Sequence, residues 1–205
     1  MILKSGTREM KAMSDTILKV TNVTKRFGGV CALDNVNLEL KKGEIHCLVG
    51  GNGSGKSTLI KIISGFYKPD GGTVEIDGIR HTQKYSTMDA IAAGVQVIYQ
   101  DMSVFPNLTV AENIALTINK SENKKLVNWK QVDEVAQQAF DKIGVQMPLH
   151  ELLEDMSVAD KQIVAIARAI LYDAKLLIMD EPTTALTRKE IDKLFEIVRN
   201  LQAQG

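Results

Sequence analysis

A glycine-rich stretch between two apolar segments constrains the fold of this chain more than any other feature. Residues 50–57 fit the pattern G-x-x-x-x-G-K-[ST]. Residues 45–49 precede it and are nearly all apolar, which is typical of a strand buried on both faces of a parallel sheet. Residues 59–63 follow with the apolar spacing of a short helix that ends at Gly65. A strand, a glycine loop and a helix in this order predict a binding site for a phosphate chain.

Each residue of the loop has an expected part in that site. The glycines let the backbone fold around phosphates, so that amide groups and the helix N-terminus point at them. We expect Lys56 to reach the β and γ phosphates, as a catalytic as well as a binding residue, and the Ser57 hydroxyl to bind Mg²⁺. The predicted phosphate-binding residues are Gly50, Gly51, Asn52, Gly53, Ser54, Gly55, Lys56, Ser57 and Thr58.

Two carboxylates follow a later apolar run, residues 176–179. Asp180 ends this run, where a triphosphate site needs a carboxylate on a neighbouring strand to hold the metal. Glu181 comes next, and a carboxylate there can orient a water that attacks the γ phosphate, or accept its proton. A lone Glu is more often a solvated surface acid, but its place after Asp180 favours catalysis. These residues predict a P-loop NTPase with Asp180 as metal ligand and Glu181 as catalytic residue.

The N-terminal part of the chain reads as strands. Residues 16–44 have two strand-like runs separated by Gly28 and Gly29. Residues 73–76 form another short run between two turns. We therefore expect short strands on both sides of the glycine loop.

The middle of the chain has helical spacing instead. A capping box of Thr109 and Glu112 predicts a helix start, because each side chain satisfies a backbone donor of the other residue. Trp129 and Phe140 lie on one apolar helix face and are predicted to be core residues. A second capping box at residues 187–190 opens a last helix. The whole order predicts an α/β nucleotide-binding core with an inserted helical subdomain.

The composition restricts the partners. Lys and Arg total 25, as do Asp and Glu, so there is no long-range positive field and nucleic acid is not an expected partner. No run of about 18 apolar residues predicts a membrane span. Residues 1–14 do not resemble a secretion signal and are predicted to be disordered. Cys31 and Cys47 lack the second pair of a zinc site, so we predict two buried thiols in a reducing cytoplasm.

Further motifs resemble those of the ATP-binding-cassette (ABC) ATPases. Residues 97–100 end in Gln100 and resemble the Q-loop, whose glutamine in that family reaches the metal and the attacking water. Residues 156–162 look like the family signature and keep Ser157, which implies a contact with nucleotide held by an opposite cassette. Phe27 matches the aromatic residue that stacks on adenine. The resemblance therefore implies that Gln100 is a catalytic residue and metal ligand, and that Phe27 and Ser157 bind nucleotide.

The sequence between the motifs is similar to one branch of this family, the ATPases of bacterial monosaccharide importers. The similar stretches are residues 27–34, 59–72 and 105–113. This resemblance implies an α/β fold of the P-loop NTPase, ABC-ATPase type, with an N-terminal antiparallel β subdomain. It also implies an ATP-binding domain at residues 15–205, incomplete at its C-terminus, with a helical subdomain inserted at about 101–165.

The implied function is ATP hydrolysis, with ATP and Mg²⁺ as cofactors, in the first cassette of an importer for a ribose-, galactose- or xylose-like sugar. The implied partners are membrane-spanning permease subunits that meet a groove near Gln100, a second ATP-binding cassette and, indirectly, a periplasmic sugar-binding protein. The implied location is peripheral, at the cytoplasmic face of the bacterial inner membrane. Two alternatives stay open: a nucleotide-binding remnant without turnover, and a non-transport ABC ATPase acting on ribosomes or DNA.

Two departures from the family pattern bear on activity. The family's switch histidine follows a strand beyond the last helix, and none of His46, His81 and His150 can take that place. We therefore expect an incomplete cassette at Gly205. Asp160 stands in the signature beside Ser157, where a carboxylate would repel the phosphate of an opposite nucleotide.

Overall fold

An antiparallel sheet of four strands carries the N-terminal part of the protein. The structure is a computed structural model that describes residues 15–81, 85–99, 104–116 and 128–204. The sheet has the order β2-β1-β3-β4. Its strands are β1 (Thr16–Phe27), β2 (Val30–Lys41), β3 (Gly71–Ile76) and β4 (Ile79–His81). The two strand-like runs that Gly28 and Gly29 separate are confirmed as β1 and β2, and the two strands form an antiparallel hairpin in which Phe27 pairs with Val30.

A second, parallel sheet shares a hydrophobic core with the helix that follows the glycine loop. Strand β5 (Val95–Ile98) follows helix α2 (Thr87–Ala92) and pairs in parallel with β6 (Leu176–Met179). Helix α1 (Lys56–Ile63) follows the glycine loop and ends before Gly65, as predicted. Its apolar side chains pack with β1, β3 and the first residues of β5 and β6 in one hydrophobic core. This core fixes the helix that carries the end of the glycine loop.

Four further helices and a 3-10 helix surround a second core. They are α3 (Val110–Ala115), α4 (Trp129–Ile143), the 3-10 helix Leu153–Asp155, α5 (Val158–Leu171) and α6 (Arg188–Gln204). The predicted capping box of Thr109 and Glu112 is present at the start of α3, and Phe140 is fully buried. Within the described residues, no helix combines the length and apolar character needed to cross a membrane.

The predicted strand at residues 45–49 is wrong. Residues 44–51 have no regular secondary structure, and Val49 is 90% exposed. The described residues place no strand beside this segment, because β6 pairs with β5 only. A single strand without a neighbour leaves its amide groups and apolar side chains in water. The apolar pattern of residues 45–49 is therefore not enough to form a strand.

Two predictions of burial are also wrong. Trp129 is 61% exposed because it is the first residue of α4. The buried face of this helix begins three residues later, at Val132. Cys31 and Cys47 are both exposed. Cys31 lies on β2, an edge strand of its sheet, and Cys47 lies in the unpaired segment. Apolar neighbours in the sequence therefore do not ensure that a cysteine is buried in the folded protein.

Candidate nucleotide-binding site

The glycine loop folds around the side chain of its own lysine. The Lys56 Nζ donates hydrogen bonds to the carbonyl oxygens of Gly50 (2.7 Å) and Gly51 (3.1 Å). The Ser54 amide donates to the Gly51 oxygen at 3.2 Å. The loop is thus a tight curl with a cation at its centre, which is the charge that a phosphate chain requires.

Gly55 joins this loop to α1 and cannot carry a side chain. Its φ is 92°, in the left-handed region, and it forms the N-cap of the helix. A Cβ placed there would lie 2.6 Å from the Ala32 carbonyl oxygen and 2.8 Å from a methyl carbon of Leu33. The glycine is therefore required by both the backbone conformation and the close approach of β2.

The N-terminus of α1 is open to an anion. No side chain caps it, and its first turn holds no acidic residue. Its free amide groups and the positive end of its dipole are therefore unopposed. Ser57 in this first turn is exposed and Thr58 is half-buried, while Leu59 is anchored in the core. The predicted phosphate-binding residues thus lie together around one helix N-terminus.

The two predicted carboxylates lie at the carboxyl end of the parallel sheet. The Asp180 amide donates to the Ile98 oxygen at 3.0 Å, so the pairing of β5 and β6 continues up to this carboxylate. Asp180 is half-buried and Glu181 is exposed. Gln100, which comes two residues after Ile98, lies outside the described residues. Ends of parallel strands are where α/β sheets place their ligands, so this edge suits a metal ligand.

Glu181 has a strained backbone. Five non-glycine residues in the described part of the chain have a positive φ, and four of them are Asn or Asp, which tolerate it. Glu181 is the exception, with a φ of 48°. The Thr184 hydroxyl lies 3.3 Å from its carbonyl oxygen and 3.4 Å from its carboxylate. Such strain costs on the order of 1 kcal/mol or more and concentrates at functional sites, which favours the catalytic interpretation of Glu181.

Phe27 lies at the tip of the β1–β2 hairpin and is 41% exposed. Its ring meets the ring of Tyr67 at 5.1 Å in an edge-to-face arrangement. The Lys25 Nζ lies over the Phe27 ring, 5.4 Å from its centroid. Hydrogen bonds from the Lys25 Nζ and then from the Arg26 amide lower the pKa of the Asp70 carboxyl from its usual value. Phe27 is thus accessible to a flat ligand and is supported from two sides.

Ser157 is the N-cap of α5. Its hydroxyl donates to the Asp160 carboxylate at 2.7 Å and accepts from the Asp160 amide at 3.1 Å. The Asp160 carboxylate, which we expected to repel the phosphate of an opposite nucleotide, therefore accepts a hydrogen bond at the N-terminus of its own helix. This arrangement satisfies one backbone donor of α5, the Asp160 amide, and also occupies the Ser157 hydroxyl.

Asn113 organises the loop before α3, a role that was not predicted from the sequence. It is fully buried, and its side-chain oxygen accepts from the Phe105 amide at 2.8 Å. Its amide nitrogen donates to the carbonyl oxygens of Phe105, Leu108 and Thr109 at 2.9–3.2 Å. The signal that could have revealed it is a polar residue next to the apolar Ile114 in a short helix.

A surface groove lies beside this loop. It has a volume of about 240 Å³, and the exposed Trp129 forms part of its wall. His150 lies 3.7 Å from the Asp133 carboxylate there. The groove is lined by Thr109, Ala111, Glu112, Trp129, Val132, Asp133 and His150.

Comparison with known proteins defines the class of this chain. The family model described as ABC transporter matches residues 33–184. The ADP conformation of MJ1267, an ATP-binding cassette of an ABC transporter, superposes with a TM-score of 0.81 and 28% identity, over 94% of this chain and 79% of that one. The chain therefore belongs to the ABC transporter family, and its fold is that of the ATP-binding cassette. The α/β fold predicted from the sequence, with its antiparallel subdomain, is confirmed.

More similar relatives are sugar-import proteins. A ribose import ATP-binding protein of Burkholderia cenocepacia is 43% identical over 192 residues, which is 93% of this chain. A putative ribose/galactose/methyl galactoside import ATP-binding protein of Geobacillus kaustophilus is 42% identical over 195 residues. The chain spans 38% of the length of both relatives. A dimeric cassette, MJ0796 bound to ADP and Pi, has a TM-score of 0.74 and 28% identity.

Proposed function

We propose that this chain is the first nucleotide-binding cassette of an importer for a monosaccharide or a similar small carbohydrate, and that it binds and hydrolyses ATP to power transport. The observation that carries the proposal is the glycine loop, in which Lys56 and the uncapped N-terminus of α1 converge. The similarity to ribose and galactose import proteins supports a sugar as the cargo.

The nucleotide is held from two sides in this proposal. Residues 50–58 enclose the phosphates, with Lys56 leaving the Gly50 and Gly51 oxygens for the β and γ phosphate oxygens. Phe27 stacks on the adenine. The exposed ring and the open helix end give each half of the nucleotide a partner of the right chemistry.

The residues present also fit Mg²⁺. The Ser57 hydroxyl and the Asp180 carboxylate are hard oxygen donors, and Mg²⁺ in phosphate sites is commonly held by one or two protein oxygens together with the substrate. In the described part of the chain, no group of three or more His, Cys, Asp or Glu residues could hold a metal by itself. We propose a shared site of this kind, in which Ser57, Asp180 and the phosphates hold the ion and Gln100 is a further ligand. The ion would offset negative charge on the phosphates.

Glu181 acts on the water in this mechanism. Its exposed carboxylate takes up a proton or orients the water for attack on the γ phosphate, together with Gln100. The Thr184 hydroxyl, 3.4 Å from the carboxylate, helps to hold it. The left-handed φ of 48° at Glu181 changes the direction of the chain after Asp180, and we assign the two neighbouring carboxylates separate roles.

Two partner surfaces complete the proposal. Ser157, exposed at the start of α5, contacts nucleotide bound to a second cassette, and its hydroxyl leaves the Asp160 carboxylate to do so. The permease meets a groove near Gln100 in this proposal, and the described groove beside Trp129 offers it an exposed tryptophan, which is a typical anchor residue of protein interfaces. The cassette lies at the cytoplasmic face of the bacterial inner membrane, with a periplasmic sugar-binding protein as an indirect partner.

Two variants with matched controls test the catalytic part. Lys56→Ala should abolish ATP binding by this chain, measured by calorimetric titration, whereas Lys68→Ala removes an exposed lysine outside the loop and should not change it. In the longer importer, Glu181→Gln should stop sugar uptake, and Glu196→Gln, an exposed glutamate on α6, should leave it intact. Undiminished uptake with Glu181→Gln would refute the catalytic role.

A second candidate function is nucleotide binding without turnover by this chain alone. The unpaired segment before the glycine loop favours it, because residues 44–51 are not fixed in a sheet beside Asp180. Measured phosphate release decides between the two: ATP binding without release at high protein concentration supports the second candidate, and robust release excludes it.

A further inference from the structure

The rings of Phe27 and Tyr67 come from distant parts of the sequence. Phe27 ends β1, whereas Tyr67 follows α1 and is partly buried against the core that holds α1 and β1. The two ring planes are inclined by 64° with centroids 5.1 Å apart, so an edge of one ring meets a face of the other. Tyr67 has a second aromatic neighbour in Phe66, also at 5.1 Å. Tyr67 is thus the anchored ring, and Phe27 is the exposed one.

The backbone that carries Phe27 is held by Asp70. Its carboxylate accepts from the Lys25 Nζ at 2.9 Å and from the Arg26 amide at 2.7 Å. The Asp70 amide donates in turn to the Thr24 oxygen at 2.9 Å. Lys25 is only 15% exposed in its side chain, and its ammonium group lies over the Phe27 ring. Rotation of the ring is therefore opposed by Tyr67 and by Lys25, while 41% of the Phe27 residue remains open.

We propose that Tyr67 is a positioning residue that holds the Phe27 ring in the orientation needed to stack on the base of a bound adenine nucleotide. The inference rests on the proposed function, because it assumes that Phe27 binds adenine. A ring whose orientation is fixed before the base arrives binds it more tightly, since a rotating ring loses entropy on binding. Tyr67 does not touch the nucleotide and acts through Phe27 alone.

The alternative is that the two rings only stabilise the hairpin. A series of substitutions at Tyr67 separates the positioning of Phe27 from the stabilisation of the hairpin. Tyr67→Phe keeps the ring, whereas Tyr67→Leu and Tyr67→Met remove it and keep apolar volume. The readout compares two ligands of this chain, ATP and inorganic triphosphate, because triphosphate fills the glycine loop but has no base to stack.

We expect Tyr67→Leu to weaken ATP binding about three- to tenfold, because the Phe27 side chain would then have to be ordered when the nucleotide binds. The affinity of Tyr67→Leu for triphosphate should stay within about twofold of that of the natural chain. Tyr67→Phe keeps the ring and should bind ATP about as tightly as the natural chain. In a Phe27→Ala background, Tyr67→Leu should have no further effect on ATP. Urea unfolding shows whether each variant is folded, and Tyr67→Met replaces Tyr67→Leu in every comparison if the latter is not.

Three results would overturn the proposal: an equal loss for ATP and triphosphate, a further loss in the Phe27→Ala background, or an unchanged ATP affinity when the ring is removed. The variant Lys56→Ala shows whether such a result contradicts only the role of Tyr67 or the proposed nucleotide site as a whole. If Lys56→Ala leaves ATP binding intact, the nucleotide site itself is wrong and so is the role of Tyr67. If it abolishes binding of both ligands, and Phe27→Ala by itself weakens binding of ATP but not of triphosphate, any of the three results counts against Tyr67 alone.

Discussion

Asp77 joins three segments of the chain, and its replacement should destabilise the protein in a pH-dependent way. Its carboxylate accepts hydrogen bonds from the Lys175 Nζ and the Lys42 Nζ, both at 2.8 Å. Lys42 follows β2 and Lys175 precedes β6, so the contact connects the antiparallel sheet to the parallel one. Lys175 and then Lys42 lower the pKa of Asp77 to about 2. Asn is the suitable replacement, because it tolerates the left-handed φ of 49° at this position.

The pKa shift sets the size of the effect. The fall from 3.8 to about 2 corresponds to at most about 2.4 kcal/mol of stability. The Asp77 side chain is 28% exposed, so solvent screening reduces this to about 1–2 kcal/mol. A carboxyl group whose pKa is lower in the folded state stabilises the fold above its unfolded pKa, and the contribution is lost as the pH falls through the folded pKa. Asp77→Asn should therefore cost about 1–2 kcal/mol at pH 7, and about half of that near pH 3.

Urea unfolding of both proteins between pH 7 and pH 3 measures this difference. Asp192→Asn is the control, because Asp192 also pairs with a cation but its contact with Arg188 is 3.7 Å and exposed. That variant should change the free energy of unfolding by less than about 0.5 kcal/mol. A loss in Asp77→Asn that does not depend on pH, or that equals the loss in Asp192→Asn, would refute the reasoning.

Three other substitutions probe the core and the loop, each by urea unfolding. Gly55→Ala should cost about 1–3 kcal/mol of stability because of its positive φ and its contact with β2. Its control, Gly51→Ala, has open space around it and should cost less than about 0.5 kcal/mol. Phe140→Ala should cost about 3–5 kcal/mol, and Trp129→Ala, exposed on the same helix, less than about 1. Asn113→Ala should cost about 2–4 kcal/mol because it leaves buried backbone groups without partners. Equal losses within either pair, or a neutral Asn113→Ala, would contradict these assignments.

Features that depend on neighbouring residues were predictable from the sequence. The capping box of Thr109 and Glu112 joins residues three positions apart, and its hydrogen bonds are present as predicted. The break between two strands at Gly28 and Gly29 and the helix after the glycine loop are likewise local, because turn geometry and helix starts depend on a few consecutive residues. The family and the fold followed from motifs of the same kind.

Features that depend on distant residues were not predictable. The apolar pattern of residues 45–49 predicts a strand, but a strand needs a neighbour, and no described strand lies beside this segment. The helical spacing around Trp129 predicts an apolar face, but only the packing of other helices decides how far along that face burial extends.

The sequence by itself determined the chemistry at each position: a loop that wraps phosphates, carboxylates after an apolar strand and an aromatic residue at a hairpin tip. The tertiary structure decided how these groups are held. Tyr67 lies against Phe27, the Asp160 carboxylate accepts from Ser157, and Asp77 receives lysines from two other segments. The physical reason is that a motif specifies the conformation and chemical groups of a few neighbouring residues, whereas orientation comes from contacts between segments far apart in the chain.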